Sequence, residues 1–370
     1  MSRVIFSRQI LVLGGVQLIE SLAFALPLSF FPNYVIGLGA SVASIGLFTS
    51  SFMLSMAIMS PQFGAFSDKY GRKRVLMLGI IGDVMFGILT GVVPSWQWLL
   101  LVRFINGAVS SAAMLSAEAL LIDLTPPSMR GEASGFVMST GMIGRNIGPI
   151  TGGMIQWASM SFGLSVLDSY RVPYFVDSGL AVLALILVFV FVREPEKTFH
   201  PSAPVNDFGE KKEKVSLPLS LKVMLVTAFV DGIGVGFIMP IMVLFYNDKF
   251  GIEPVGIGAL LSISGFVGLF ASYVAGRASD RLGRKPLIAI GNYASQASGV
   301  VLPLTGSVTQ AGVAMSVRSL GFNVSMPAFR ALRADVVPPE VRGRFFGYFG
   351  TAFTAGDVVS PILGTGYTAS

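Results

Sequence analysis

The chain contains no cysteine, so it has neither a disulfide framework nor a thiolate metal site. Its one histidine, His200, cannot form a histidine cluster. Charge is scarce as well. Asp, Glu, Lys and Arg make up 12% of the 370 residues, against about 25% in a soluble domain. That is too little to cover a water-facing surface, which excludes a soluble enzyme, a disordered chain and a nucleic-acid binder. No paired catalytic set or metal cluster is present, so neither an enzyme nor a bound cofactor is expected. What is abundant is apolar: 53% hydrophobic residues, with 43 Gly, 29 Phe and 17 Met, and a mean hydropathy of +0.72. Small residues let helices approach closely in lipid. The composition describes a polytopic membrane protein.

A membrane-spanning helix needs roughly 20 mostly apolar residues. The sequence divides into eleven such segments: 8–36, 41–67, 73–94, 96–124, 131–160, 170–192, 218–246, 254–279, 285–305, 308–334 and 341–370. The first carries Gln17 and Glu20 and runs well beyond the length of a cleaved signal. One long polar connection, 194–217, reads as a linker between an N-terminal unit (1–193) and a C-terminal unit (218–370). Lys and Arg are retained on the cytoplasmic side of short loops. A cytoplasmic N-terminus puts 20 of the 26 basic residues on that side, leaving Arg171 and Lys249 outside and Arg103, Arg145, Arg318 and Arg330 within spans. The net charge of +6 therefore reflects topology and carries no message about nucleic acid.

The chain repeats itself at an offset of 212 residues. Gly64-Ala-Phe-Ser-Asp68-Lys69-Tyr70-Gly71-Arg72-Lys73 returns as Gly276-Arg-Ala-Ser-Asp280-Arg281-Leu282-Gly283-Arg284-Lys285. Asp123 with Pro126, Pro127 and Arg130 returns as Asp335 with Pro338, Pro339 and Arg342. Gly135, Gly144, Pro149 and Gly152 map onto Gly347, Gly356, Pro361 and Gly364. Two halves in one membrane orientation need an even number of spans each, here six, and place a substrate site at their interface near the midplane. By that logic a twelfth helix and a cytoplasmic tail are expected beyond Ser370.

These motifs resemble the major facilitator superfamily over the whole chain. The Gly64–Lys73 loop fits the family's G-x-x-x-D-[RK]-x-G-R-[RK] signature at every defined position, and Arg103-Phe-Ile-Asn-Gly107 resembles its R-x-x-x-G element. Gly135, Gly144, Gly148, Pro149, Gly152 and Gly153 resemble the antiporter motif of its drug:proton exporters. The resemblance implies an all-α fold of two pseudo-symmetric six-helix bundles in the cell (inner or plasma) membrane. It also implies a latch on the cytoplasmic side, with Asp68 against the start of the eleventh span near Arg342 and Gly343. Arg72 would reach Asp123, with a mirror set of Asp280, Gly283, Arg284 and Asp335. The fifth-span glycines are expected on nearly one helix face, sealing a neighbouring helix against leaks.

Charges inside spans cost about 2.5–3.5 kcal/mol each on insertion scales and usually face a partner or a water-filled cavity. Glu20 and Asp231 occupy near-equivalent depths of the first and seventh spans, which line the central cavity in this fold. Arg103, Gly107, Ser110, Met114 and Glu118 share one stripe of the fourth span. The 212 offset sets Glu118 against Arg330 and Arg145 against Asp357. Burial disfavours an ionised acid and a neighbouring Arg favours it, so an alternating cavity can load and release protons. Glu20, Asp231, Asp357 and Glu118 are the candidate carriers, and Arg103, Arg145 and Arg330 their charge partners. Asp83 and Asp177 lie on spans less involved in the site and read as structural. Phe24, Phe30, Phe31, Phe229 and Phe237 are candidate walls of the substrate cavity.

The expected activity is proton-coupled export of hydrophobic or amphipathic small molecules by rocker-switch alternating access, in a monomer. A sugar, amino-acid or other metabolite transporter of the same fold is the alternative. A membrane sensor without transport would have little need for midplane charges in both halves.

Overall fold

The computed structural model describes residues 7–194, 219–337 and 342–367, and among them the regular structure is entirely helical. Every expected span is present within a few residues. The first is α1 (Arg8–Ala25), a 3-10 turn and α2 (Phe31–Gly37). The break coincides with Pro27 and Pro32, since a proline inside a helix removes a donor and clashes with the preceding turn. Then come α3 (Ile45–Tyr70), α4 (Arg72–Val92), α5 (Trp96–Asp123), α6 (Arg130–Ser161) and α7 (Val166–Phe191). After the linker follow α8 (Leu219–Phe250), α9 (Pro254–Leu282), α10 (Arg284–Val301), α11 (Val308–Val336) and α12 (Arg342–Tyr367). Among the described residues, seven helices are long and apolar enough to cross a membrane. The helix α6 is not among them, because its glycines, serines and Arg145 dilute its hydropathy.

Local signals mark the ends. Ser165 and Ser307 cap α7 and α11 by accepting hydrogen bonds from the backbone N–H groups of Asp168 (3.1 Å) and Gln310 (3.3 Å). The chain passes from α3 to α4 through Gly71 alone, at φ +107°, and from α9 to α10 through its repeat partner Gly283, at φ +84°. Only glycine adopts that region without strain.

The helices pack in two groups with matching pairings. In the first, α1 packs on α6, α3 on α5, and α4 on both α5 and α7. The second matches α1–α6 with α8–α12, α3–α5 with α9–α11, and α4–α5 with α10–α11. The match extends to atoms. A side chain at Gly79 would meet the Ala113 Cα at 2.7 Å, and one at Gly291 would meet the Ser325 backbone nitrogen at 3.0 Å. Both residue pairs are related by the offset of 212.

The groups meet through α6–α9, α3–α12 and α2–α8. The Ser50 hydroxyl donates to the Val358 carbonyl, and the Ile150 amide donates to Ser262 Oγ at 3.3 Å. Leu244 joins an apolar cluster of the first group with Phe30, Tyr34, Tyr170 and Tyr174. These contacts lie in the half of the molecule away from the Gly71 and Gly283 turns.

Candidate functional site

At the Gly71 turn, Arg72 binds two acids. It pairs with Asp68 four residues back across the turn, and its Nε lies 3.1 Å from Asp123 Oδ2 at the end of α5. The expected partner of Asp68, the start of α12 near Arg342, lies outside the residues whose side chains are described, as do Asp280 and Asp335. Gly64 has open space where a side chain would stand, so no close contact requires a glycine there in this conformation.

A further acid completes this end. The Glu194 carboxylate accepts hydrogen bonds from the backbone N–H groups of Arg72 (2.6 Å) and Lys73 (3.0 Å). It thereby occupies the N-terminus of α4, where unpaired donors and the helix dipole favour an anion. A Cβ at Gly71 would stand 2.9 Å from Glu194 Oε1, so a side chain there would also have to displace the Glu194 carboxylate. Lys73 Nζ donates to the Phe189 carbonyl at 2.9 Å, and the Arg193 amide donates to Gln9 Oε1 at 2.9 Å. The exit from α7 is thus tied to α1 and α4. No pattern in the sequence announces Glu194, because its partners are backbone groups more than a hundred residues away.

The α6 glycines occupy two faces. Gly144, Gly148 and Gly152 press on the backbone of α1 and the turn after it: their added side chains would meet Leu22 N at 3.0 Å, Ala25 C at 2.9 Å and Leu26 C at 2.6 Å. Gly153 faces the other group, where an added side chain would stand 2.7 Å from the Pro254 carbonyl oxygen, and the Pro149 carbonyl carbon lies 2.7 Å from the Cβ position of Gly258. Gly135 departs from the expected single face, being exposed with open space around it. Its separation of nine residues from Gly144 is two and a half turns, which points it the opposite way.

This packing also fixes how the halves correspond. Gly356 on α12 presses on the Ile233 backbone nitrogen at 2.9 Å, as Gly144 presses on that of Leu22 at 3.0 Å. An offset of 212 on one helix pair is accompanied by 211 on the other. Glu20 and Asp231 are therefore symmetry equivalents, to the residue.

Their surroundings differ. Glu20 has a buried Oε1 without a hydrogen-bond partner and lies within electrostatic reach of Asp83 on α4 and Asp177 on α7. Asp83 Oδ1 is 2.7 Å from the Ser110 hydroxyl, which is also 3.0 Å from Asn106 Oδ1. One hydroxyl proton can serve only one of them at a time. A side chain at Gly87, one turn beyond Asp83, would stand 3.2 Å from Asp177 Oδ2. Arg103 on α5 acts on Asp177, Tyr174 and Tyr34, and its guanidinium lies 4.5 Å from the centre of the Phe31 ring. Asp231 is half-buried.

The other candidates are dispersed. Arg145 is exposed while Asp357 is 7% exposed, and the two form no ion pair. Glu118 is exposed, and Arg330 falls outside the described side chains. Among the proposed cavity aromatics, Phe24 and Phe229 are exposed, and Phe31 is half-buried under Arg103. Phe30 is fully buried and stacked on Tyr170 at 5.5 Å, so it is core and not cavity wall. Phe237 lies outside the described side chains. Among the described residues no group of His, Cys, Asp and Glu could hold a metal ion.

A family model described as Major Facilitator Superfamily matches residues 13–226 and 224–370. The multi-drug resistance efflux pump PmrA of Streptococcus pneumoniae is 28% identical over 353 residues, covering 93% of this chain and 85% of the relative. The multidrug resistance protein MdtG of Enterobacter lignolyticus is 26% identical over 359 residues, covering 94% and 82%. A bacterial homologue of the human lysosomal transporter Spinster, solved inward-facing and unoccupied, superposes with a TM-score of 0.78 at 18% identity, covering 95% of this chain and 80% of that one. A D-xylose–proton symporter gives 0.71 at 18% identity, covering 96% and 87%. Those two structures speak for the fold alone.

Proposed function

Because the chain belongs to the Major Facilitator Superfamily, a family of membrane transporters, we propose that it is a proton-coupled exporter of hydrophobic or amphipathic small molecules. The observation that carries the reading is the pairing of Glu20 and Asp231 at equivalent positions on α1 and α8, one in each bundle. An acid at mid-depth is costly to keep ionised, and a rocking motion that exposes it to alternate sides changes that cost. It then binds a proton on one side and releases it on the other. The likeness to PmrA and MdtG, named as multidrug efflux proteins, supports export as the direction. The glycine-lined contacts of α6 with α1 and α9 support antiport, since closely packed backbone leaves no leak path through the moving interface.

The domains are read as 1–193 and 218–370, joined by the linker 194–217. With the N-terminus and the Gly71 turn on the cytoplasmic side, the contacts between the bundles close the outer side, which describes an inward-open state. The chain acts as a monomer in the cell membrane on this reading. Reconstitution in proteoliposomes with an imposed pH gradient tests it: amphipathic cations and dyes should move against the proton gradient, and the movement should collapse when the gradient is dissipated. Gradient-independent movement, or preference for a sugar or amino acid, would overturn it.

A further inference from the structure

The first bundle carries a charged layer that the central cavity does not account for. Two apolar clusters fill this bundle. One, with Phe30, Tyr34, Leu99, Val102, Tyr170 and Tyr174, occupies the end away from the Gly71 turn. The other, with Ile10, Val16, Ile80, Leu120, Ala181 and Ala184, occupies the opposite end. Between them, on four helices at once, the apolar residues give way to Glu20 (α1), Asp83 (α4), Arg103 and Ser110 (α5) and Asp177 (α7). That is three carboxylates against a single guanidinium, between two dry layers. A fully ionised set would carry a formal charge of −2 in surroundings that give little solvation, and like charges that share such a site do not all ionise.

A second observation points into the same layer. Tyr174 is 3% exposed, and its hydroxyl has no well-aligned hydrogen-bond partner, although Arg103 and Asp177 are close enough to act on it. Arg103 Nε and Glu20 Oε1 are likewise buried and unpartnered. Buried polar groups are normally satisfied, so a layer with a donor, an acceptor and a hydroxyl left open has room for protons to be redistributed. The neighbouring groups do not fill it. Tyr34 donates to the Thr90 carbonyl at 2.6 Å, Arg171 is held by Asp168 at 2.9 Å, α6 contributes only the exposed Arg145 beyond Arg130 and Glu132 at its start, and α3 has no charge before Asp68.

We infer that Asp83 and Asp177 form, with Glu20, a single proton-sharing site inside the first bundle, and are not inert structural charges. The inference rests on the proton-coupling reading for its purpose, and on the geometry of the layer for its existence. Its ligand is the proton. Two protons shared among the three carboxylates leave one negative charge, which Arg103 balances; uptake completes that set and release takes a proton from it, so no other reactant is required. Ser110 and Tyr174 supply hydroxyl groups that can accept or donate as the proton count changes.

The test combines spectroscopy of the purified protein with two conservative substitutions. Infrared titration of the wild type, with aspartate carboxyls isotopically labelled, should show protonated aspartate bands at neutral pH. Asp83→Asn keeps an oxygen to accept from Ser110 and removes only the titrating group. It and Asp177→Asn should each remove part of the aspartate signal and move the remaining glutamate titration by about one pH unit or more, the mark of coupled sites. Both should lower pH-gradient-driven accumulation at least about tenfold. If both variants titrate and transport like wild type while Asp83→Ala unfolds, Asp83 is only an acceptor for Ser110 and the proposal fails. Should the Asn variants not fold, absence of protonated aspartate in the wild-type spectra overturns it equally. A wild type that ignores the pH gradient yet shows shared aspartate protons would sink the transport reading and leave the shared site standing.

Discussion

The two bundles share a frame and differ in what stands at its centre. Gly79 with Ala113 and Gly291 with Ser325 set the same register between the third and fourth helices of each half. In that register Asp83 corresponds to Ser295, and Arg103 to Met315. The first bundle therefore holds acids and a guanidinium between apolar layers, where the second holds a serine, 6% exposed, and a thioether. The acid of the first cavity helix has its counterpart in Asp231, but Asp83 and Arg103 have no charged counterparts at their matching positions. Repetition preserved the packing that closes the helices on one another and left the polar content free to diverge, because packing tolerates few changes and charge placement answers to function.

That comparison can be broken in several ways. The largest effect is expected from Glu20→Gln, which should reduce pH-gradient-driven transport in inverted vesicles to background. Asp231→Asn should leave a measurable fraction, since the positions matching Asp83 and Arg103 hold Ser295 and Met315; equal losses would erase the asymmetry. Next, Ser295→Asp gives the second bundle the acid of the first without an Arg103 equivalent. It should destabilise the protein by about 2.5–3.5 kcal/mol, read as a lowered thermal midpoint in detergent, and Met315→Arg in the same chain should recover part of the loss. Gly144→Ala and Gly356→Ala press a methyl group onto equivalent backbone and should each cost about 1–3 kcal/mol. Matching shifts would show the packing is symmetric where the charges are not. The smallest effect belongs to Glu194→Ala, which removes the α4 cap at a cost of about 0.5–2 kcal/mol, read as a small drop in thermal midpoint.

Most of the architecture was legible because it is written in period and length. Apolar runs of membrane length, the basic loops and the offset of 212 give the helices, their pairing and the Gly71 and Gly283 turns. The glycines of α6 were legible as contacts, while Gly135 shows the limit of a motif: it shares the pattern and points the opposite way. The charged residues within spans were legible singly, since any charge in a span invites a role. Their grouping was not. Asp83 and Asp177 stand 94 positions apart on spans read as less involved in the site, and only the packing of α4 on α7 brings them together. The buried state of Phe30 was hidden for the same reason, since sequence does not distinguish an aromatic facing a cavity from one stacked on Tyr170.

The face that α6 turns to α9 is made largely of main chain. Gly153 rests on Pro254 and Val255, and Gly258 rests on Pro149 and Ile150, so main chain meets main chain at these points, with the Asn146 side chain seated on Gly265 and Ser262 on the Ile150 amide. Interlocked side chains must change rotamer before two surfaces can slide, and each change adds to the barrier. Contacts of peptide plane on peptide plane have few such teeth. On the alternating-access reading proposed above, they are where the two bundles would roll over one another, and the speed of the cycle would be governed by the charges and contacts at either rim.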